Sequence, residues 1–140
     1  MPDAELSLEE LRAWGESLGA GLRPGGIVTL EGDLGAGKTT LAQAICRGYG
    51  VADAVTSPTF ALVHEYRAPR SRVLHIDLFR LEGPHDLANI GWDDALASDA
   101  LVLVEWPERA GAQAALQGSG TRALRLAYVA GAPDRRRVSW

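Results

Sequence analysis

Apolar residues near the start of the chain recur every three or four positions. They are Leu8, Leu11, Trp14, Leu18 and Leu22. This spacing is typical of an amphipathic helix. Ser7 lies just before this helix and Glu10 lies in its first turn, and together they have the form of a capping box. Pro24 follows the end of the helix. The pattern predicts a helix over residues 8–21.

The next two segments predict a strand and a second helix joined by glycines. Residues 27–30 form a short apolar run that is typical of a strand. Residues 38–49 return to helical spacing, with Leu41 and Ile45 on one face and Gly50 as a stop signal. We therefore expect a strand, a glycine-rich loop and a helix in that order.

The second half of the chain alternates further strands and helices. Residues 60–66 and 72–78 predict an antiparallel hairpin, and residues 101–104 are a continuous apolar run that suits a parallel strand buried on both faces. The remaining segments are 84–97 as two short helices broken at Gly91, 110–116 as a short helix, and 121–129 and 136–140 as closing strands. The pattern is that of an α/β chain.

The bulk properties limit the class of protein. A length of 140 residues suggests one domain over residues 1–140, and no apolar run approaches the roughly 20 residues that a membrane span needs. The start lacks the pattern of an export signal, so we expect a cytoplasmic protein. The single cysteine, Cys46, is expected in the core.

Basic residues concentrate near the end of the chain. Residues 101–140 carry six arginines and three acidic residues, against a net charge of −4 for the whole chain. The run from Arg135 to Arg137 suits an acidic partner or RNA. A solvated edge strand is the more ordinary interpretation, and we favour it.

One motif dominates the functional interpretation. Residues 32–39 fit Gly-x-x-x-x-Gly-Lys-Thr, and Lys38 is the only lysine in the chain. The motif lies between a predicted strand and a predicted helix, which is the context that a phosphate-binding loop requires. The residues expected to bind nucleotide are Asp33, Leu34, Gly35, Ala36, Gly37, Lys38, Thr39 and Thr40. Lys38 would bridge the β- and γ-phosphates, and the Thr39 hydroxyl would bind Mg²⁺.

A magnesium site beside such a loop needs a carboxylate at the end of a neighbouring strand. Glu105 follows the apolar run 101–104, and Asp77 ends the strand that contains His75. A helix cap or a surface acid is the alternative for each carboxylate. His75 is expected as a packed or hydrogen-bonded neighbour of the site, because two ligands do not make a zinc site.

Two further segments have open interpretations. Ser57-Pro58-Thr59 lies where many phosphate-loop proteins place a segment that senses the γ-phosphate, but it equally suits an ordinary turn. Trp106 follows Glu105 and suits either the nucleotide pocket, a partner surface or the core.

Taken together, five blocks of the sequence resemble the TsaE family in order and spacing. The blocks are residues 32–40, 56–60, 62–66, 75–81 and 104–108. The resemblance implies a single three-layer P-loop NTPase domain, with a central mixed, mostly parallel sheet flanked by helices. It runs from about Leu8 to Glu108.

The resemblance also implies a function. TsaE-like proteins are ATPases that act with TsaB and TsaD in forming threonylcarbamoyladenosine at position 37 of tRNA, and they touch tRNA through that complex. The family implies ATP and Mg²⁺ as cofactors, with Thr39 and Glu105 at the metal and Asp77 near the γ-phosphate or the attacking water. It makes residues 57–59 a switch, with Thr59 and Trp106 as pocket residues and Lys38, Asp77 and Glu105 as the catalytic set.

Several rival functions remain from the residues alone. A small-molecule kinase shares the loop but needs an acceptor pocket and usually an arginine-bearing lid. A non-catalytic, nucleotide-gated binding module is the second alternative. A GTPase is disfavoured because no Asn-Lys-x-Asp segment is present. Arg80 is the best internal candidate for an arginine finger, although an outward salt bridge suits it as well.

Overall fold

The structure is a computed structural model, and residues 2–55, 62–116 and 120–140 are described. The strands are β1 (Asp3–Ser7), β2 (Ile27–Glu31), β3 (Val63–Tyr66), β4 (Val73–Asp77), β5 (Leu101–Glu105), β6 (Arg122–Val129) and β7 (Ala132–Ser139). The helices are α1 (Leu8–Ala20), α2 (Lys38–Tyr49), α3 (Pro84–Asn89), α4 (Trp92–Ala97) and α5 (Ala112–Leu116), with a 3-10 turn at Arg109–Gly111. The predicted segments therefore form the expected kinds of element. The predicted switch at Ser57-Pro58-Thr59 lies outside the described residues.

The strands form one seven-stranded sheet in the order β1-β7-β6-β2-β5-β4-β3. Pairings β6 to β2, β2 to β5 and β5 to β4 are parallel and occupy its centre. Pairings β1 to β7, β7 to β6 and β4 to β3 are antiparallel and lie toward its two edges. The mixed sheet and the β3–β4 hairpin confirm the prediction, although parallel pairing holds for half of these contacts rather than for most.

The central strands are buried on both faces, which gives the expected three layers. In β5, Leu101 and Leu103 join the core that contains α1 and α2, whereas Val102 and Val104 join a second core beneath α3, α4 and α5. Alternate residues of a strand point to opposite faces, so one continuous apolar run supplies both cores. Cys46 is buried in the first core as predicted, and burial raises the pKa of its thiol to about 12. No helix among the described residues is long and apolar enough to cross a membrane.

The arginine-rich end corrects the prediction of a solvated edge strand. Strand β7 lies between β1 and β6, so it is internal, and β1, which sequence patterning did not predict, lies outside it. Arg137 pairs with Asp3 and Glu5 of β1, and Arg135 lies 3.8 Å from Glu10 of α1. Acidic residues of the same chain therefore neutralise much of this run.

Glycines bring α1 and α2 into backbone contact. A Cβ atom added at Gly19 would clash with the carbonyl group of Ile45 in α2, whose carbon would lie 2.9 Å away. A Cβ at Gly48 would likewise lie 2.7 Å from the carbonyl carbon of Glu16 in α1. Because α2 begins at Lys38, this close packing fixes the helix that follows the glycine loop.

Gly19→Ala is expected to destabilise the fold by about 2–3 kcal/mol, because the new methyl group meets backbone that cannot rotate away. Urea unfolding measures this difference. Gly21→Ala is the matched control, since its Cβ would lie 3.6 Å from Leu18 O, an ordinary contact, and it should change stability by less than about 0.5 kcal/mol. Equal stability of the two variants would show that the helices do not pack as described.

Candidate nucleotide-binding site

Three adjacent parallel strands end at one place. Strand β2 leads into the glycine loop, β5 ends at Glu105, and β4 ends at Asp77. In the register of the sheet Glu105 lies opposite Leu30 on one side and opposite Asp77 on the other. The two predicted carboxylates thus lie side by side at the carboxyl ends of the strands, next to the loop, as expected for an open α/β sheet.

The loop has the backbone that its glycines allow. Gly35 and Gly37 adopt positive φ angles of 78° and 105°, which L-residues with side chains rarely take. Gly37 precedes the first turn of α2, and no side chain in the described part of the chain caps that helix end. The uncapped N–H groups and the helix dipole make this end of α2 a site for negative charge.

Lys38 is folded against its own loop. Its Nζ donates hydrogen bonds to the carbonyls of Gly32 and Asp33, the latter at 3.1 Å, and lies 3.8 Å from the centre of the Trp106 ring. Burial lowers the pKa of Lys38, while Glu105 and other nearby carboxylates act in the opposite direction. The amino group is thus held between an aromatic face and the carbonyl oxygens of its own loop.

Trp106 forms one wall of the pocket and, partly buried, also packs against the second core. Its φ angle is 59°, an uncommon left-handed conformation for a bulky residue. The ring contacts Phe79 with centroids 4.8 Å apart, and the Arg109 guanidinium lies 5.1 Å from the Phe79 ring. This turn places the indole over Lys38, so both the pocket and the core interpretations describe its position, and a role in nucleotide binding stays a prediction.

The two carboxylates have different surroundings. Glu105 is 3% exposed, and its Oε2 lies 2.6 Å from Nε2 of the fully buried His75. The Oδ1 atom of Asp77 accepts a hydrogen bond of 2.9 Å from the Phe79 N–H. Burial raises the pKa of Asp77, the Phe79 bond opposes that shift, and the neighbouring Glu105 adds to it. His75 is therefore the hydrogen-bonded neighbour that the sequence predicted.

These groups line one pocket of about 250 Å³. Its lining residues are Leu34, Gly35, Gly37, Lys38, Thr39, Thr40, Asp77, Glu105 and Trp106. All nine are residues that the sequence analysis predicted to belong to the nucleotide site. Of the other predicted contacts, Asp33 contributes its carbonyl to Lys38, the Ala36 side chain is buried away from solvent, and Thr59 lies outside the described residues.

The donor set of the pocket suits Mg²⁺. Thr39 offers a hydroxyl and Glu105 a carboxylate, which are the hard oxygen ligands that this ion prefers. Within residues 2–55, 62–116 and 120–140 no group of three or more His, Cys, Asp or Glu side chains is placed to hold a metal. A site with two protein ligands fits an ion that takes its remaining ligands from phosphate oxygens and water.

The sequence analysis missed two residues that contact the loop. Tyr128 on β6 and Arg136 on β7 donate hydrogen bonds to loop carbonyls across about ninety to a hundred residues of chain. Arg136 looked like one of three surface arginines. A signal was present, because Arg136 shares its face of the strand with Val138, and Val138 is fully buried.

Comparison with known proteins gives a consistent result. The family model described as threonylcarbamoyl adenosine biosynthesis protein TsaE matches residues 6–137. Curated proteins named tRNA threonylcarbamoyladenosine biosynthesis protein TsaE are similar to this chain. The Synechocystis sp. protein is 40% identical over 111 residues, which cover 75% of this chain and 71% of that protein. The Bacillus subtilis protein is 38% identical over 98 residues, which cover 70% and 61%.

The Nostoc sp. relative is 42% identical over 95 residues, which cover 66% of this chain and 59% of that protein. The match thus spans about three fifths of its length. The crystal structure of Bacillus subtilis YdiB superposes with a TM-score of 0.70 and 25% sequence identity, over 98% of this chain and 83% of that one. The sequence therefore matches the TsaE family, and the fold matches that of YdiB.

Proposed function

Because this chain belongs to the TsaE family of threonylcarbamoyl adenosine biosynthesis proteins, we propose that it is a Mg²⁺-dependent ATPase that supports this modification at position 37 of tRNA. The family places the chain in tRNA threonylcarbamoyladenosine biosynthesis and its fold is consistent with nucleotide binding. Beyond this family role, we propose that the protein hydrolyses ATP. Its proposed partner is a TsaB–TsaD complex in the cytoplasm, which it binds and resets.

One observation carries the proposal. The glycine loop, Lys38, Asp77, Glu105 and Trp106 converge on one pocket at the carboxyl ends of three parallel strands. The carboxylates attract Lys38, but Asp77 and Glu105 repel each other, and the desolvation of Lys38 and Asp77 costs further free energy. A phosphate ligand with a divalent cation would offset those costs.

The proposed division of labour follows from the contacts. Loop N–H groups and Lys38 bind the β- and γ-phosphates, and Thr39 and Glu105 hold Mg²⁺. Bound Mg²⁺ supplies positive charge against the phosphate oxygens. His75 fixes the orientation of Glu105 through their 2.6 Å hydrogen bond. Trp106 covers the lysine and excludes water from it.

Asp77 is proposed to orient the attacking water near the γ-phosphate. Hydrolysis needs positioning and charge neutralisation more than a strong base, and an arginine supplied from outside accelerates it about a thousandfold or more in related chemistry. Arg80 is exposed and does not belong to the pocket lining within the described part of the chain. We therefore propose that the protein alone hydrolyses ATP weakly and that its partners stimulate hydrolysis. Contact with tRNA is proposed to be indirect, through the TsaB–TsaD complex.

The direct test compares ATP hydrolysis by the chain alone with hydrolysis in the presence of TsaB, TsaD and tRNA, while threonylcarbamoyladenosine is counted over many turnovers. Several-fold stimulation together with sustained modification is the expected result. Hydrolysis that the partners leave unchanged, with no effect on modification, would exclude the proposed role.

Two rival functions have distinct outcomes in the same assay. A small-molecule kinase would produce a phosphorylated acceptor with the isolated chain. A nucleotide-gated binding module would support repeated modification equally well with a non-hydrolysable ATP analogue. The pair of carboxylates beside the loop favours hydrolysis over the gated module, because binding alone does not need both.

Asp77→Asn is expected to reduce ATP turnover by about a hundredfold while ATP affinity changes little, because the amide keeps the acceptor for the Phe79 N–H and loses only the charge. Burial raises the pKa of Asp77 above the ordinary 3.8, so protonation, and with it loss of turnover, begins at a higher pH than for an exposed aspartate. The pH profiles of both proteins check this. A wild-type profile with the same acid limb as the variant would exclude Asp77 as the titrating group.

A further inference from the structure

Two side chains on the β6–β7 hairpin hold the outer side of the glycine loop. Tyr128 and Arg136 are register partners across these strands, and the guanidinium lies 4.6 Å from the centre of the tyrosine ring. We call this pair the strap. The two residues form a single unit, since a cation over an aromatic face stabilises both side chains in one arrangement.

The strap donates to three consecutive loop carbonyls. The Tyr128 hydroxyl donates to Leu34 O at 2.9 Å. The Arg136 Nε donates to Ala36 O at 3.1 Å, and its Nη2 lies 3.5 Å from Gly35 O. The loop also fits closely against the strap, because a Cβ at Gly35 would lie 2.7 Å from the tyrosine oxygen.

Holding a loop carbonyl also fixes the direction of the N–H group on the opposite side of the same peptide unit. In a trans peptide the carbonyl of one residue and the N–H of the next point in opposite directions. Donors that fix the carbonyls of Leu34 and Ala36 outward therefore aim the N–H groups of Gly35 and Gly37 inward, whereas the Ala36 N–H donates within the loop to Asp33 O at 3.0 Å. Inward N–H groups are what a phosphate-binding loop presents to its anion.

We infer that Tyr128 and Arg136 are positioning residues, which hold the loop N–H groups in the orientation that binds the phosphates of a nucleotide. The inference rests on the proposed nucleotide-binding function and assigns part of that binding to residues outside the loop motif. The positive charge of Arg136 behind the loop adds to the attraction for an anion in front of it.

A purely structural role explains these residues less well. Arg136 is 8% exposed, and the hydrogen bonds it makes go to carbonyls, of Ala36, Gly35, Pro133 and Arg135. A buried cation gains less from carbonyls than from a carboxylate, so an apolar residue would serve packing better. Tyr128 is half exposed, so its ring adds little to the core. The burial of the Arg136 charge and the exposure of the Tyr128 ring are both explained if the function of the two side chains is to hold the loop carbonyls.

The test measures binding of ATP and of inorganic tripolyphosphate by calorimetry in the presence of Mg²⁺. Tyr128→Phe removes one hydroxyl from a half-exposed ring, and Arg136→Gln removes the fork of donors. We expect affinity to fall about fivefold and about tenfold or more, by the same factor for both ligands, because the loss concerns phosphates and not the base. Arg136→Lys should recover part of the loss.

The neighbouring Arg137→Gln is the matched control, since Arg137 lies on the same strand and pairs with Asp3 and Glu5 instead of the loop. It should leave both affinities within about twofold of the wild type. Thermal unfolding without ligand identifies any variant that has lost its fold, and Tyr128→Phe keeps the test valid if Arg136→Gln does not fold.

The outcomes separate the two proposals. If Lys38→Ala abolishes tripolyphosphate binding while Tyr128→Phe and a folded Arg136→Gln bind like the wild type, the strap proposal is overturned and nucleotide binding stands. If Lys38→Ala also binds like the wild type, both are overturned. A loss for ATP without a loss for tripolyphosphate would also contradict the strap, because it would place the defect at the base.

Discussion

Lys38→Ala is expected to lower ATP turnover by about a thousandfold or more and to remove measurable ATP binding. Lys38 is the only lysine in the chain, and its amino group lies in the same pocket as the loop, Asp77 and Glu105. In phosphoryl transfer most of the catalytic effect comes from positioning and charge neutralisation, and removing one strong electrostatic donor alone costs about a hundredfold to a thousandfold. Turnover and calorimetric titration of the purified variant measure both effects.

The fold should survive this substitution, although Lys38 is buried rather than exposed. Its charge already lies where burial lowers its pKa, so the folded state disfavours the cation and loses little when it is removed. Arg47→Ala is a matched control on the same helix, because Arg47 makes an exposed salt bridge to Glu16 away from the pocket. A folded Lys38→Ala protein with the turnover of Arg47→Ala would refute the central claim.

Glu105→Gln is expected to lower Mg²⁺-dependent turnover by about a hundredfold and to raise the Mg²⁺ concentration needed for half-maximal activity. Glutamine keeps the shape and can keep a hydrogen bond to His75, so the change isolates the charge that would hold the ion. A loss of about 3 kcal/mol in charge stabilisation corresponds to a factor of about a hundred in rate. Titration of turnover with MgCl₂ gives both quantities.

Glu108→Gln provides the comparison for that variant. Glu108 follows Glu105 by three residues and attracts Lys38 electrostatically, and burial raises its pKa, yet it is not among the pocket-lining residues. It should keep the Mg²⁺ dependence of the wild type. If both variants shifted the Mg²⁺ requirement equally, general loss of negative charge would explain the result and the specific assignment of Glu105 would fail.

The central part of the site was predictable because local rules act there. A buried parallel strand reads as an unbroken apolar run, and the residue after it lies at the ligand-binding edge of the sheet. Asp77 and Glu105 were found by this rule, and the glycine loop was found by its motif. The helix boundaries of α2 and the break at Gly91 between α3 and α4 followed from the same kind of local signal.

Features that depend on distant pairing were not predictable in the same way. Strand β1, Asp-Ala-Glu-Leu-Ser, alternates polar and apolar residues but has only five residues and no β-branched one, and it is a strand because it pairs with β7. Its arginine partners likewise appeared solvent-directed until the register was known. Whether a segment forms a strand depends more on the neighbours it packs against than on its own residues. A short segment such as β1 is therefore hard to predict from local pattern alone.

The strap has a consequence for the order in which the protein becomes functional during its synthesis. The loop carbonyls and the arginine that holds them are 100 and 101 residues apart. A ribosome adding about 5–20 residues per second would complete the glycine motif several seconds before it adds Arg136. Until then β7 cannot pair with β1 or brace the loop. The nascent chain would therefore carry the nucleotide motif without its support, and nucleotide binding would mature only when the last strand joins the sheet.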